Sequence, residues 1–200
     1  TTLFRSPTWG FNEVFLPLSI TRILGSYVIE NILFKVAFPA EFHAQTAVEA
    51  ACLLHTKVQN RLDEIVRIEI KTQESAIRII DKKGALTSPA DRDHCLQYMV
   101  AVALIKGILR ADHYEEETAK DLRINRLREK MILIHDLFYS EGYLDPEKRS
   151  IANAICIHFA DGTKTDWVEV HYPLGHKKRR EEAIPLLQQK FLTCVETRFS

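Results

Sequence analysis

The alternation of apolar and polar positions is sharpest over residues 64 to 72, "EIVRIEIKT". Val66, Ile68 and Ile70 fall on one side and Arg67, Glu69 and Lys71 on the other, which predicts a half-buried strand. "IANAICIHFADGTKTDWVEVHYP" (151 to 173) predicts a hairpin, two alternating strands around Asp161-Gly162, a pair that accepts positive φ. "YVIENILFKVAF" (27 to 38) is rich in β-branched and aromatic residues and predicts one or two strands ended by Pro39. Helical spacing takes over in "AEFHAQTAVEAACLLHTKV", where Phe42, Ala47, Val48, Ala51 and Leu54 share a face.

"SPADRDHCLQYMVAVALIKG" (88 to 107) predicts one helix, with Ser88 as N-cap, Pro89 at its first position, Asp91 three after the serine and Gly107 closing it. Residues 115 to 136 predict a further helix with a charged face, and Pro146 opens a turn region. "EEAIPLLQQKFLTCVETRF" predicts a final helix with Pro185 near its first turns. This order implies an α+β fold: a small mixed or antiparallel sheet covered by helices on one face.

Composition narrows the function. The 200 residues are 46% apolar and 27% charged, as in an ordinary globular domain. Lys and Arg number 27 against 27 Asp and Glu, which argues against a nucleic-acid partner; the basic loop "GHKKRR" (175 to 180) reads as a solvated turn. No apolar run is long enough to span a membrane, and none is expected as a partner. The chain opens "TTLFRSPTWG", without a signal-like start and without Met, so part of a longer protein is expected. Cys52, Cys95, Cys156 and Cys194 lie far apart, with no spacing that signals a zinc site or a disulfide framework; a reducing compartment, the cytoplasm, is expected.

Few side chains stand out as chemistry. Lys35 interrupts an apolar run, either as a charge on a solvated sheet face or as an ammonium facing an anion. His43 sits in the first turn of a helix, where free N–H groups favour anions, and it can equally be a buried histidine bonded to backbone. His94 and Tyr98 are four apart on the capped helix and so share a face, either as part of a core-lining stripe or as a hold on a substrate hydroxyl or carboxylate. No glycine-rich phosphate loop, GxSxG or HExxH pattern occurs.

Longer blocks say more. "GSYVIENILFKVAFPAEFHAQTAVEAA", "TQESAIRIIDKKG", "SPADRDHCLQYMVAVALIKG" and "YLDPEKRSIANAICIHFADG" resemble the MmgE/PrpD family, and within it the branch that dehydrates 2-methylcitrate. The resemblance runs from "PTWGF" (7 to 11) to "YPLGHKKRREEAIPLLQQKF" (172 to 191). It implies a large helical domain, absent from this chain, with an α+β lid over residues 27–172. Residues 1–26 would lead in from the helical domain, and residues 173–200 would form a C-terminal helix packing back on it.

The same resemblance implies a lyase of propionate catabolism that converts a tricarboxylate, 2-methylcitrate, into 2-methyl-cis-aconitate without a cofactor, metal or iron–sulfur cluster. Lys35, His43 and Tyr98 would be catalytic, and His94 would join them in holding substrate. Lys35 is separated from Phe38-Pro39 by two residues, Val36 and Ala37, where other branches have one. The remaining acid and base groups would lie on the helical domain, so this chain alone would be inactive. Homodimerisation stays open, as do another polycarboxylate lyase or decarboxylase activity and a non-catalytic carboxylate-binding module.

Overall fold

A computed structural model describes residues 35–199. A single turn of 3-10 helix, Phe42–Ala44, leads directly into α1 (Gln45–Val58). Gln45 fixes the approach: its side-chain amide donates to the carbonyls of Phe38 and Ala40, at 3.0 and 2.9 Å. The buried face of α1 is made largely of small residues, Ala47, Ala50 and Ala51 beside Val48 and Leu54, so its partner helix can approach closely. That partner is α4 (Leu96–Lys106), buried from Leu96 to Ile105. A helix apolar on all sides is a core helix, and α4 is the centre of this one.

Between α1 and α4 lie β1 (Ile65–Thr72), α2 (Glu74–Ile80) and α3 (Pro89–Asp93). After α4 come α5 (Glu116–Ala119), α6 (Leu122–Glu129), β2 (Met131–His135), α7 (Leu137–Leu144), β3 (Asn153–Phe159), β4 (Val168–Val170) and α8 (Arg180–Glu196). The strands form one four-stranded sheet in the order β2-β1-β3-β4. β2 runs parallel to β1, so the chain needs the long helical crossover between them; β3 and β4 are antiparallel. Ile68 and Ile70 of β1 and Ile155 and Ile157 of β3 join α1 and α4 in one core. The fold is therefore α+β with a mixed sheet. Among the described residues, no helix is long and apolar enough to cross a membrane.

Several elements differ from the sequence pattern. Of the strand expected over 27–38, residues 27–34 lie outside the described residues. Residues 35–38 are irregular, because the Phe38 carbonyl is taken by Gln45 and not by a neighbouring strand. In β1 the register slips between Ile65 and Arg67, so Val66 is 53% exposed while Ile65 is buried. That bulge turns the first half of the alternation over.

The helix expected over 88–107 is two helices. Ser88 caps the first as predicted, accepting from the Asp91 amide, but the chain breaks at His94 and Cys95. Arg92 turns inward there to bond the Tyr114 carbonyl and Glu116. His94 and Tyr98 consequently do not share a helix face. The helix expected over 115–136 ends by Lys130, and "MILIH" becomes β2, since the open edge of β1 offers it ladder hydrogen bonds. α7 follows, started by Asp136 accepting from the Tyr139 amide.

Gly107 ends α4 with φ +71. A Cβ there would stand 2.7 Å from Cδ2 of His55, whose Nδ1 lies 2.9 Å from the Leu104 carbonyl oxygen. Gly107→Ala combines a left-handed backbone with a clash against a tethered ring. It is expected to lower stability by at least about 1–2 kcal/mol, read as a fall of several degrees in Tm.

Candidate functional site

The turn before α1 carries a dense polar network. His43 is buried there, and both its backbone N–H and its ring turn toward Glu41. The amide donates to Glu41 Oε2 at 2.8 Å, and ring Nδ1 lies 2.9 Å from Oε1. An ionised carboxylate only accepts, so Nδ1 carries a proton and donates it to the Glu41 hydrogen bond. Nε2 lies within hydrogen-bond distance of the Tyr143 hydroxyl on α7, at 3.2 Å. Burial pushes the Glu41 carboxyl up. The His43 ring bond and charge, with the amides of His43 and Phe42, outweigh it and hold the group below its ordinary 4.5.

The backbone of this turn is tied to the sheet. Asn153, fully buried at the start of β3, donates from Nδ2 to the His43 carbonyl at 2.9 Å and to Thr46 Oγ1 at 2.7 Å. Thr46 donates onward to the Ile151 carbonyl. His43 is thus held from the ring side by Glu41 and Tyr143 and from the backbone side by Asn153.

A second polar region surrounds Tyr98 in the first turn of α4. Its hydroxyl donates to the His113 carbonyl at 2.7 Å, and its ring stacks on Tyr114. Burial pushes the phenol up to about 12, so it keeps its proton at neutral pH. Tyr98 lines a cleft of about 570 Å³ together with Lys82, Lys83, Arg92, Arg128 and the single carboxylate Glu129. Lys82 pairs with Asp91 at 3.1 Å behind the cleft wall. Arg92 spends its Nη atoms on the Tyr114 carbonyl and Glu116, while its buried Nε–H has no partner among the described residues. Four basic side chains against one carboxylate make the lining cationic, with Lys82 and Arg92 already paired to Asp91 and Glu116.

The other expected site residues lie apart. Lys35 is exposed, and its carbonyl accepts from Lys190 of α8 at 2.9 Å. His94 is exposed beside Asp93. No hydrogen bond, ion pair or ring contact among the described residues joins Lys35, His43, His94 and Tyr98 to one another. The loop "GHKKRR" is more than a solvated turn: His176 is buried, and Arg179 forms a paired contact with Glu49 of α1 at 2.9 and 3.0 Å.

Sequence reasoning missed Glu41, Arg92, Tyr143 and Asn153. Tyr143 lies 100 residues from His43, beyond any spacing argument. Asn153 did leave a signal, as a polar residue at an inward position of an otherwise apolar strand.

Comparison with known proteins bears on this arrangement. The MmgE/PrpD C-terminal domain matches residues 38–200. The chain belongs to the MmgE/PrpD family.

Similar proteins of this family include the mitochondrial 2-methylcitrate dehydratase of Yarrowia lipolytica, 52% identical over 99% of the chain and 39% of that protein. The 2-methylcitrate dehydratase of Escherichia coli K12 is 51% identical over 97% of the chain and 41% of its own length. That of Cupriavidus necator is 50% identical over 99% and 42%. This MmgE/PrpD chain therefore spans about two fifths of the curated relatives it matches.

Because the Glu41 carboxyl is held low in the folded protein, its contribution is complete above the ordinary value of 4.5 and is lost as the pH falls through the folded value. Glu41→Gln is expected to be less stable than the parent at pH 7, with the gap closing below pH 4.5 in urea melts across pH.

Proposed function

We propose that the complete protein is a hydro-lyase that dehydrates 2-methylcitrate to 2-methyl-cis-aconitate, a step of propionate catabolism, and that this chain is its α+β lid. The observation that carries this reading is the identity of about half of all positions, over nearly the whole chain, to several proteins named 2-methylcitrate dehydratase. The electrostatics support it. Removing a proton next to a carboxylate adds negative charge to a group already anionic, and the departing hydroxide must be protonated. Preorganised cations and donors lower that barrier.

In this reading Lys35 clamps a substrate carboxylate and steadies the developing charge. His43 is a clamp or proton carrier: its ring joins the Glu41 carboxylate to the half-buried Tyr143 hydroxyl, a path along which a proton can move. The Tyr98 hydroxyl donates its one hydrogen bond to the His113 carbonyl, so its oxygen is left as an acceptor for the substrate hydroxyl. Lys82, Lys83 and Arg128 beside it balance substrate charge, and His94 assists binding. The last segment, residues 173–200, is read as the helix that returns to the helical domain. Exposed Ile184, Phe191 and Leu192 on α8 suit that packing. Four unpaired cysteines suit a reducing compartment, in keeping with the cytoplasm.

Full-length protein supplied with 2-methylcitrate is expected to generate the ultraviolet absorbance of the new conjugated double bond. Lys35→Met, His43→Gln and Tyr98→Phe should each lower kcat/KM about a hundredfold, near 3 kcal/mol in the barrier. Absence of dehydration by the full-length enzyme contradicts the proposal.

A further inference from the structure

On the sheet face turned away from α1 and α4, three side chains of unlike chemistry meet. Glu69 of β1 stands directly across from Cys156 of β3, and His158 follows two residues along β3 on the same face. One carboxylate oxygen, the cysteine sulfur and a histidine nitrogen all lie within 4.8 Å of one another, the one such group among the described residues. We propose that this trio binds a divalent ion of the zinc class, with the Cys156 thiolate, His158 Nε2 and Glu69 Oε2 as ligands.

The geometry separates this from a nucleophile relay. Glu69 Oε2 and Cys156 Sγ approach the same ring nitrogen, His158 Nε2, at 2.7 and 3.8 Å. A relay needs thiol and carboxylate on opposite ring nitrogens, since one nitrogen holds only one proton. Donor atoms converging on a single point are what a metal requires. Zn–S near 2.3 Å and Zn–N near 2.0 Å at tetrahedral angles put sulfur and nitrogen about 3.5 Å apart. The observed spacing is close to that. The nitrogen–oxygen pair would open from 2.7 Å to about 3.3 Å.

The surroundings agree. Arg67 engages Glu69 Oε1, leaving Oε2 to the ion, so the guanidinium can remain as an outer partner that orients the carboxylate. The Cys156 thiol donates to the Thr165 carbonyl at 3.2 Å. On binding, its S–H bond breaks, the proton leaves to solvent and the electron pair forms the metal–sulfur bond; nothing is oxidised or reduced. Thiolate and carboxylate then neutralise the dication. Sequence spacing hides the site, because Glu69 and His158 are 89 positions apart.

The test is a Co²⁺ titration of the chelator-stripped full-length protein carrying Cys194→Ser, which removes an exposed competing thiol. A thiolate-to-cobalt charge-transfer band saturating at one equivalent and reversed by Zn²⁺ is expected. Cys156→Ser should abolish it, and Glu69→Gln and His158→Gln should each weaken cobalt binding by at least about tenfold with unchanged far-ultraviolet circular dichroism. No band in the Cys194→Ser protein, or a band undiminished by Cys156→Ser, overturns the site. Should Cys156→Ser fail to fold, unchanged cobalt affinity in both other variants overturns it.

Discussion

One buried amide holds the entrance of α1 to the sheet. Asn153 reaches from the first residue of β3 to the His43 carbonyl and to Thr46, and Thr46 continues to Ile151. A polar side chain with no exposure survives in a core only when it is hydrogen-bonded, and an orphaned partner costs about 1–3 kcal/mol. The contact therefore fixes where the turn before α1 begins, and with it the direction of the His43 ring. Glu41 and Tyr143 complete the arrangement from two further segments of chain, so the imidazole is oriented by the sheet, by α7 and by its own turn together.

The same economy governs the cleft beside Tyr98. The inward turn of Arg92 breaks the chain between α3 and α4, starts α4 afresh, and places the Tyr98 ring on Tyr114. A guanidinium only 2% exposed is an expensive thing to bury, and its contacts with the Tyr114 carbonyl and Glu116 offset part of that cost. What results is a concave, mostly cationic surface on a stable core helix. For the proposed dehydration, that surface meets a substrate with several carboxylates, and the balance of charge comes from side chains already in place.

How much of this was readable in the sequence depended on how local its cause was. β1, the β3–β4 hairpin and α1 follow from alternation and helical spacing, and Gly107 stops α4 as its position suggested. The break at His94 was not readable, because it arises from Arg92 meeting residues 22 and 24 positions away. β2 was hidden because "MILIH" continues a charged helical stretch, and only the free edge of β1 makes it a strand. Likewise the residue types at the candidate site were visible, His43 and Tyr98 among them, while their partners were not. Long family-like blocks supplied the expectation of a carboxylate-handling lid where short motifs were silent.

The most direct test of the account removes the amide while keeping its shape, as Asn153→Leu in the full-length enzyme. The account predicts a folded protein, less stable by about 1–3 kcal/mol, in which kcat for 2-methylcitrate falls at least about tenfold while KM changes little. A folded variant that turns over at the parent rate would show that the tie between β3 and the His43 turn does not govern the chemistry.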